Sequence, residues 1–593
     1  MTTKRTLRIG GASGFWGDSA ISVPQLLTAG VDYLIFDYLA EITMSIMARA
    51  RSKDASLGYA VDFVSVVAAN LPAIAAQKVR IVANAGGVNP QACADALRAE
   101  IARAGFDLEV AVVIGDDLMS RADAFRGNGV VEMFDGRPLP DTLLSMNAYL
   151  GALPIARALE TGADIVVTGR CVDSAMALGP CIHEFGWERD LDCYAAASLA
   201  GHILECGAQA SGGIHTDWDE TGDWAEIGYP IVEIGDDGNF VVSKPERTGG
   251  LISVGTVAEQ MVYEIGDPQN YLLPDVACDF SAVTIRQIAD NLVDVRGARG
   301  RPPSPFYKVS ATYKDGFRVG MYLTIIGPRA AEKAERTADA VVRRMARMLA
   351  EHGLPPLSET SVEVIGAEAA YGPHSRARNA REVVLKVAAK HPQPRALEML
   401  VRELTSSGTS MAPGTTGLGG NRPKVAPVVR LFSFLVEQKD VPVRVETPDG
   451  AFAVLPHDAL PETVPEKPEA PSAPSAGALV EVPLETLAYI RSGDKGDNAN
   501  IGIVARRPEY LPYIRRTVSE TAVAGVFAHF LAGKVERFDL PGVHGVNFLL
   551  HRVLGGGGIA SLRNDPQAKG FGQMLADFPV SVPPELLPAP DRP

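Results

Sequence analysis

Through the first 170 positions, short unbroken apolar runs alternate with longer stretches in which apolar residues recur every three or four positions. The runs beginning at Leu7, Asp32, Val79, Leu108 and Asp164 predict five strands, and the periodic segments between them, such as residues 91–104 and 142–161, predict amphipathic helices. Asn89-Pro90 is a helix entry, with Asn as cap and Pro at the first position. Near-continuous apolar strands separated by helices indicate a parallel sheet buried on both faces. The expected fold class is therefore α/β, a mostly parallel sheet with flanking helices. Polar and glycine residues collect at the C-terminal ends of these strands, where both open sheets and barrels bind ligands. An open sheet is the expectation.

From about residue 210 to 330 the runs shorten and alternate, as antiparallel strands do. An Ala-rich helix is expected over 329–351, and strands and helices over 361–446 complete the large body, residues 1–453. Residues 454–483 are dense in proline (Pro461, Pro465, Pro468, Pro471 and Pro474), which predicts an extended linker. Residues 484–593 form a small α+β unit, with strands near 486–491, 500–505 and 546–554 and helices over 511–531 and 566–578.

The net charge of −15, without a Lys- or Arg-rich run, argues against nucleic acid as a partner. The six cysteines are scattered, with no Cys-x-x-Cys pair, as in buried free thiols of a reducing compartment. The N-terminus leads into a strand without an apolar leader, and nothing approaches the ~20 apolar residues of a membrane span. A cytoplasmic location, no membrane contact and a symmetric homo-oligomer are expected.

Candidate chemistry gathers at a few places. Arg491-Ser-Gly-Asp-Lys-Gly-Asp-Asn packs Arg491, Ser492, Asp494, Lys495 and Asn498 around two turn-permitting glycines. Asp494 is a candidate base or Mg²⁺ ligand, and Lys495 a candidate holder of a carboxylate or thioester oxygen. The alternative is a charged surface turn. Thr168-Gly-Arg-Cys-Val-Asp-Ser ends a buried strand and enters a helix. Here Arg170 and Ser174 suit anion binding, and Asp173 is a base, a metal ligand or a helix cap.

Trp16 and Asp18 lie in a glycine-rich turn that lacks dinucleotide and P-loop spacing, so no NAD, flavin or nucleotide site is indicated. Trp16 either walls a pocket or closes the core. Asp37 and Asn84 follow the second and third strands and converge on the same rim. Glycine-flanked His215 is a candidate acid or base, or a loop histidine bonded to backbone. Arg422 belongs to a hydroxyl-rich loop able to close over a substrate. The reading is thus Asp173, His215, Asp494 and Lys495 as catalytic groups. Trp16, Asp18, Asp37, Asn84, Arg170, Ser174, Arg422, Arg491, Ser492 and Asn498 bind substrate. No metal ligand set is fixed by spacing, although Mg²⁺ or another divalent metal fits the oxygen-rich inventory.

Gly14-Phe-Trp-Gly-Asp18, Phe36-Asp-Tyr-Leu-Ala-Glu41, Asn84-Ala-Gly-Gly-Val-Asn-Pro90, Thr168-Gly-Arg-Cys-Val-Asp-Ser174, Ser211-Gly-Gly-Ile-His215 and Gly249-Gly-Leu-Ile-Ser-Val-Gly-Thr256 resemble the large N-terminal unit of the acyclic terpene utilisation (AtuA) family. The stretch from Arg491 to Asn500 is similar to the opening of that family's small ferredoxin-like C-terminal unit. The resemblance implies bacterial breakdown of citronellol- and geraniol-type terpenoids through branched acyl-CoA intermediates, with carbon–carbon lyase chemistry on a branched hydroxyglutaryl-CoA suggested for the family. The expected function is a catabolic enzyme acting on a branched acyl-CoA or terpenoid-derived acid by lyase or hydratase chemistry. Two alternatives are a non-catalytic assembly subunit of an acyl-CoA carboxylase pathway and a metal-dependent hydrolase of another small molecule.

Overall fold

The apolar runs of the N-terminal half are strands buried on both faces. In the computed structural model, which describes residues 5–417, 422–458, 460, 461, 463, 465, 478–558 and 560–587, all four residues of Tyr33–Phe36 and of Ile165–Thr168 are buried. Such strands need helices on either side. The chain supplies them in the order β1 (Thr6–Ser13), α1 (Ser22–Thr28), β2 (Tyr33–Phe36), α2 (Glu41–Arg51), α3 (Val61–Gln77), β3 (Arg80–Ala83), α4 (Pro90–Ala104) and β4 (Val110–Ile114). There follow α5 (Ala122–Gly127), β5 (Leu143–Ala148), α6 (Leu153–Glu160), β6 (Ile165–Thr168), α7 (Ala175–Phe185), α8 (Leu191–Leu204), β7 (Ile231–Gly235), β8 (Phe240–Ser243) and α9 (Val254–Val262).

All of these strands but β5, joined by Thr284–Ala289, Leu292–Arg296, Arg444–Thr447 and Gly450–Ala453, build an open eleven-stranded sheet whose centre runs β1, β2, β3, β6, β4, all parallel. Outside these five the pairing reverses. β7 lies antiparallel to β1, and Arg444–Thr447 antiparallel to β4. The large unit is therefore a mixed sheet rather than a mostly parallel one. The flanking strands arrive as hairpins, and hairpins are antiparallel by construction.

Residues 142–161 also depart from the expected single helix. Leu144, Met146 and Ala148 alternate with polar neighbours, and Gly151 and Pro154 interrupt the run. The segment splits into β5 and α6, the latter with Pro at its start. β5 pairs antiparallel with Phe306–Ile326, a 21-residue strand at the heart of a second, antiparallel sheet. Ala330–Glu351 and Pro394–Ser410 cover one face of that sheet.

The small unit carries a four-stranded antiparallel sheet in the order Ala488–Lys495, Asn498–Ala505, Gly545–Leu550, Val535–Leu540. The helix expected over 511–531 is two short ones, Leu511–Thr517 and Glu520–Val526, because Ser519 caps the second through the Ala522 N–H. The last helix is confined to Phe571–Ala576. Half of the Pro-rich stretch 454–483 lies outside the described residues. Among those described, no helix is long and apolar enough to cross a membrane.

Candidate active site

Parallel strands deliver their C-terminal ends to one edge, and here each end carries a polar group. Asn84, directly after β3, is fully buried. Its Nδ2 donates to Asp37 Oδ1 at 2.7 Å, and its Oδ1 accepts the Tyr38 N–H at 2.8 Å. After β4, Asp116 accepts the Arg170 N–H at 2.9 Å and Asn147 Nδ2 at 2.8 Å. Gly169 permits this, because a Cβ there would strike the Asp116 carboxylate. Burial pushes the Asp116 acid up to about 7 against these hydrogen bonds, which pull it down. Arg170 is buried against the Tyr149 ring, its guanidinium carbon 4.2 Å from the ring centre. Its Nη1 donates to the Leu39 carbonyl at 2.6 Å and to Asp173 Oδ1 at 2.9 Å.

Asp173 thereby meets Asp37 and a residue that the sequence did not single out, Glu205 at the end of α8. Ligand-capable atoms of Asp37, Asp173 and Glu205 all lie within 4.8 Å of one another. Asp37 and Glu205 are buried, Asp173 half-buried. Burial first, and the Asp173 charge second, hold both the Asp37 and Glu205 carboxyls well above the ordinary carboxylate range. One turn back on α8, His202 places Nδ1 2.9 Å from Glu205 Oε1, and burial lowers its imidazole to about 4, with Lys495 adding to the effect. Three oxygen donors of this kind suit proton transfer or a hard divalent cation.

The small unit covers this edge. Asn500 Nδ2 donates to the Val262 carbonyl at 2.7 Å and its Oδ1 accepts the Glu264 N–H at 2.9 Å. Asn547 Nδ2 donates to the Ile265 and Gly266 carbonyls, each at 2.7 Å. All these backbone groups follow from the end of α9, so the two buried amides cap it from the other domain. Lys495 then stands with its ammonium 5.7 Å from the Tyr271 ring centre and opposes the charge of Glu205. Tyr271 is itself half-buried, its hydroxyl acid pushed far up first by desolvation and then by Glu205 and Asp173. Ligand sites favour such domain interfaces.

A family model described as the acyclic terpene utilisation family protein AtuA matches residues 7–447. The chain belongs to this family. A second model, the AtuA ferredoxin-like domain, matches residues 482–581, so both units that frame the site are family units. Comparison with curated proteins and with solved structures returned no match.

Against this AtuA frame the residues singled out in the sequence divide into three groups. Asp37, Asn84, Arg170, Asp173 and Lys495 meet around the carboxylate trio. Arg491 and His215 meet elsewhere, in a buried docking knot. Arg491 Nη1 donates to the Ile214 carbonyl at 2.9 Å and lies 4.0 Å from Glu259, whose other oxygen is 2.9 Å from His215 Nδ1, with Tyr489 stacked on the imidazole. These groups join the domains.

The third group has other surroundings. Asp18 spends its oxygens on the Gly14 and Ser19 N–H groups and the Tyr229 hydroxyl. Trp16 packs on the core beside α1 and α3. Ser174, not Asp173, is the cap position of α7, without a side-chain bond, and is buried where α7 meets Gly201 of α8. Ser492 bonds the Ala568 carbonyl and the Gly572 N–H, and Asn498 accepts the Arg552 N–H. Asp494 is half-buried, 3.5 Å from Gln567. Arg422 is exposed ahead of Ala426–Glu437 on the second sheet, and residues 418–421 of its loop lie outside those described. Glu205 had one readable signal: His202 and Glu205, three apart, close a helix that is otherwise almost wholly apolar, and polar residues in such a helix need a reason.

Proposed function

We propose that this protein is an enzyme of acyclic terpenoid breakdown that acts on a branched acyl-CoA or terpenoid-derived acid by lyase or hydratase chemistry. The observation that carries the reading is the trio Asp37, Asp173 and Glu205 gathered at a covered domain junction. Two carboxyls pushed toward the neutral form stand within 4.8 Å of a third. Lyases and hydratases need one group to take a proton from a hydroxyl or an activated carbon and another to return one, and environments that split carboxyl acidities supply that pair. Arg170 orients Asp173 through their 2.9 Å bond, and exposed Lys495 is placed to meet an anionic or thioester oxygen. Membership of the AtuA family supports the terpenoid class of substrate.

The test is a thermal-shift panel of free coenzyme A, branched and short acyl-CoAs and terpenoid acids, followed by a turnover assay on whichever compound binds. A ligand specific to the native state adds about 2.7 kcal/mol at a hundredfold excess over its dissociation constant. A shift with a branched acyl-CoA or terpenoid acid, and turnover abolished by Asp173→Asn, support the reading. Flat curves, or full turnover in folded Asp173→Asn and Arg170→Ala variants, overturn it.

A further inference from the structure

Asp37, Asp173 and Glu205 come from three separate elements, the end of β2, the β6–α7 loop and the end of α8, yet their oxygens converge within 4.8 Å. Like charges so close in a buried place repel unless something neutralises them. The resident charges do not suffice. With all three carboxyls ionised, the trio brings three negative charges. Arg170, bonded to Asp173, returns one. On Glu205 the charge of Glu264 adds to the negative field and that of Lys495 opposes it. Two negative charges remain, the amount that one divalent cation neutralises.

A second observation separates a cation from protons alone. His202 is 1% exposed, and its ring is turned to the cluster with Nδ1 2.9 Å from Glu205 Oε1. Neither ring nitrogen makes a well-directed hydrogen bond: Glu205 and the Met261 carbonyl are near but out of line. A proton shared between Glu205 and His202 would favour an aligned bond. An imidazole left buried and unaligned beside Glu205 is instead the arrangement found next to a metal site, in which it steadies a ligating carboxylate. The half-exposed side chain of Asp173 gives a cation its entry.

We propose that Asp37, Asp173 and Glu205 hold one divalent cation of the Mg²⁺ or Mn²⁺ class, with His202 at its edge. The proposal rests on this cluster being the active site, but it does not depend on the substrate. All-carboxylate oxygen donors select hard cations over Zn²⁺ or Cu²⁺. When bound, the ion would supply positive charge to an oxygen that becomes negative during reaction.

The experiment uses the full chain, stripped with chelator, exchanged into chelator-free buffer and titrated with MnCl₂. Binding is read by calorimetry and by loss of the free Mn²⁺ paramagnetic resonance signal. One saturable Mn²⁺ per chain is expected. Asp37→Asn and Glu205→Gln, which conserve volume, are each expected to weaken it at least tenfold, and Asp173→Asn provides a third, more exposed position if either fails to fold. Asp54→Asn, on the surface, leaves binding unchanged. No stoichiometric Mn²⁺ on the folded parent, or an affinity unmoved by substitutions in the trio, overturns the site. If Mn²⁺ binds in this pattern while the acyl-CoA and terpenoid panel stays flat, the cation site stands and the substrate reading falls.

Discussion

Asn84 holds Asp37 from the neighbouring strand: its amide nitrogen reaches the Asp37 carboxylate at 2.7 Å while its oxygen accepts the Tyr38 N–H. One fully buried side chain therefore fixes both the acid and the backbone that carries it. Asn84→Ala leaves the Tyr38 N–H and an Asp37 oxygen without this partner, at a cost of about 1–3 kcal/mol for each buried polar group left unsatisfied. Urea unfolding should show a loss of that order, and turnover should fall further than the loss of folded protein explains. A variant as stable as the parent would mean that Asp37 is held by other contacts.

Asp116 gives a pH dependence whose direction is fixed. Its acid sits at about 7 in the folded chain, raised first by burial, against about 4 in an unfolded one. The folded state therefore binds this proton more tightly. The stability it contributes is fully present below about pH 4 and is lost as the pH rises through about 7. Asp116→Asn keeps an acceptor for the Arg170 N–H and Asn147 and removes the charge. Relative to the parent, its melting temperature should be close at pH 4–5 and higher at pH 8. A difference that stays constant across this range would contradict the assignment.

How much of this was readable beforehand follows from where the information lies. The strand ends with Asp37, Asn84 and Arg170 were legible because buried parallel strands announce themselves as apolar runs, and the polar residue ending each run must face the shared edge. β5 was not, because its six residues gain their strand identity from pairing with Phe306–Ile326, far along the chain. Glu205 is brought to Asp173 only by the packing of α7 on α8, where Gly201 allows close approach to Ser174. Asp18 shows the converse: the Tyr229 hydroxyl that donates to this turn carboxylate comes from 211 residues away, where no local pattern reaches.

Docking of the small unit can be broken without touching the trio. Asn500 Nδ2 donates to Asn547 Oδ1 and to the Val262 carbonyl at the end of α9, Asn547 Nδ2 donates to the Ile265 and Gly266 carbonyls beyond it, and Gly502 lies so close to Val262 that a Cβ would overlap it. Asn500→Ala leaves the Val262 carbonyl and the Glu264 N–H buried and unpaired. Gly502→Val adds a clash at the same contact. Both variants should scatter X-rays as a more extended particle and be cleaved faster between residues 458 and 478. Far-UV circular dichroism should remain that of the parent. Activity should be lost with the contact, because Lys495 leaves Tyr271 and Glu205. Full activity in a demonstrably extended variant would restrict the chemistry to the large unit.

Lys495 tests the part played by the small unit in binding. It is an exposed cation at the junction, carried on the end of Ala488–Lys495, with its charge felt by Glu205 and His202. A positive charge that meets an anionic substrate contributes mainly before the reacting bonds change. Lys495→Met should therefore raise KM by tenfold or more, while kcat changes less. Lys495→Arg should recover most of the affinity, since it keeps the charge. Added salt should raise the parent's KM and leave that of Lys495→Met nearly flat, because screening acts only on a charge that is present. If kcat falls while KM holds, Lys495 acts on the reacting groups through Glu205 instead, and its role moves from substrate capture to tuning of the trio.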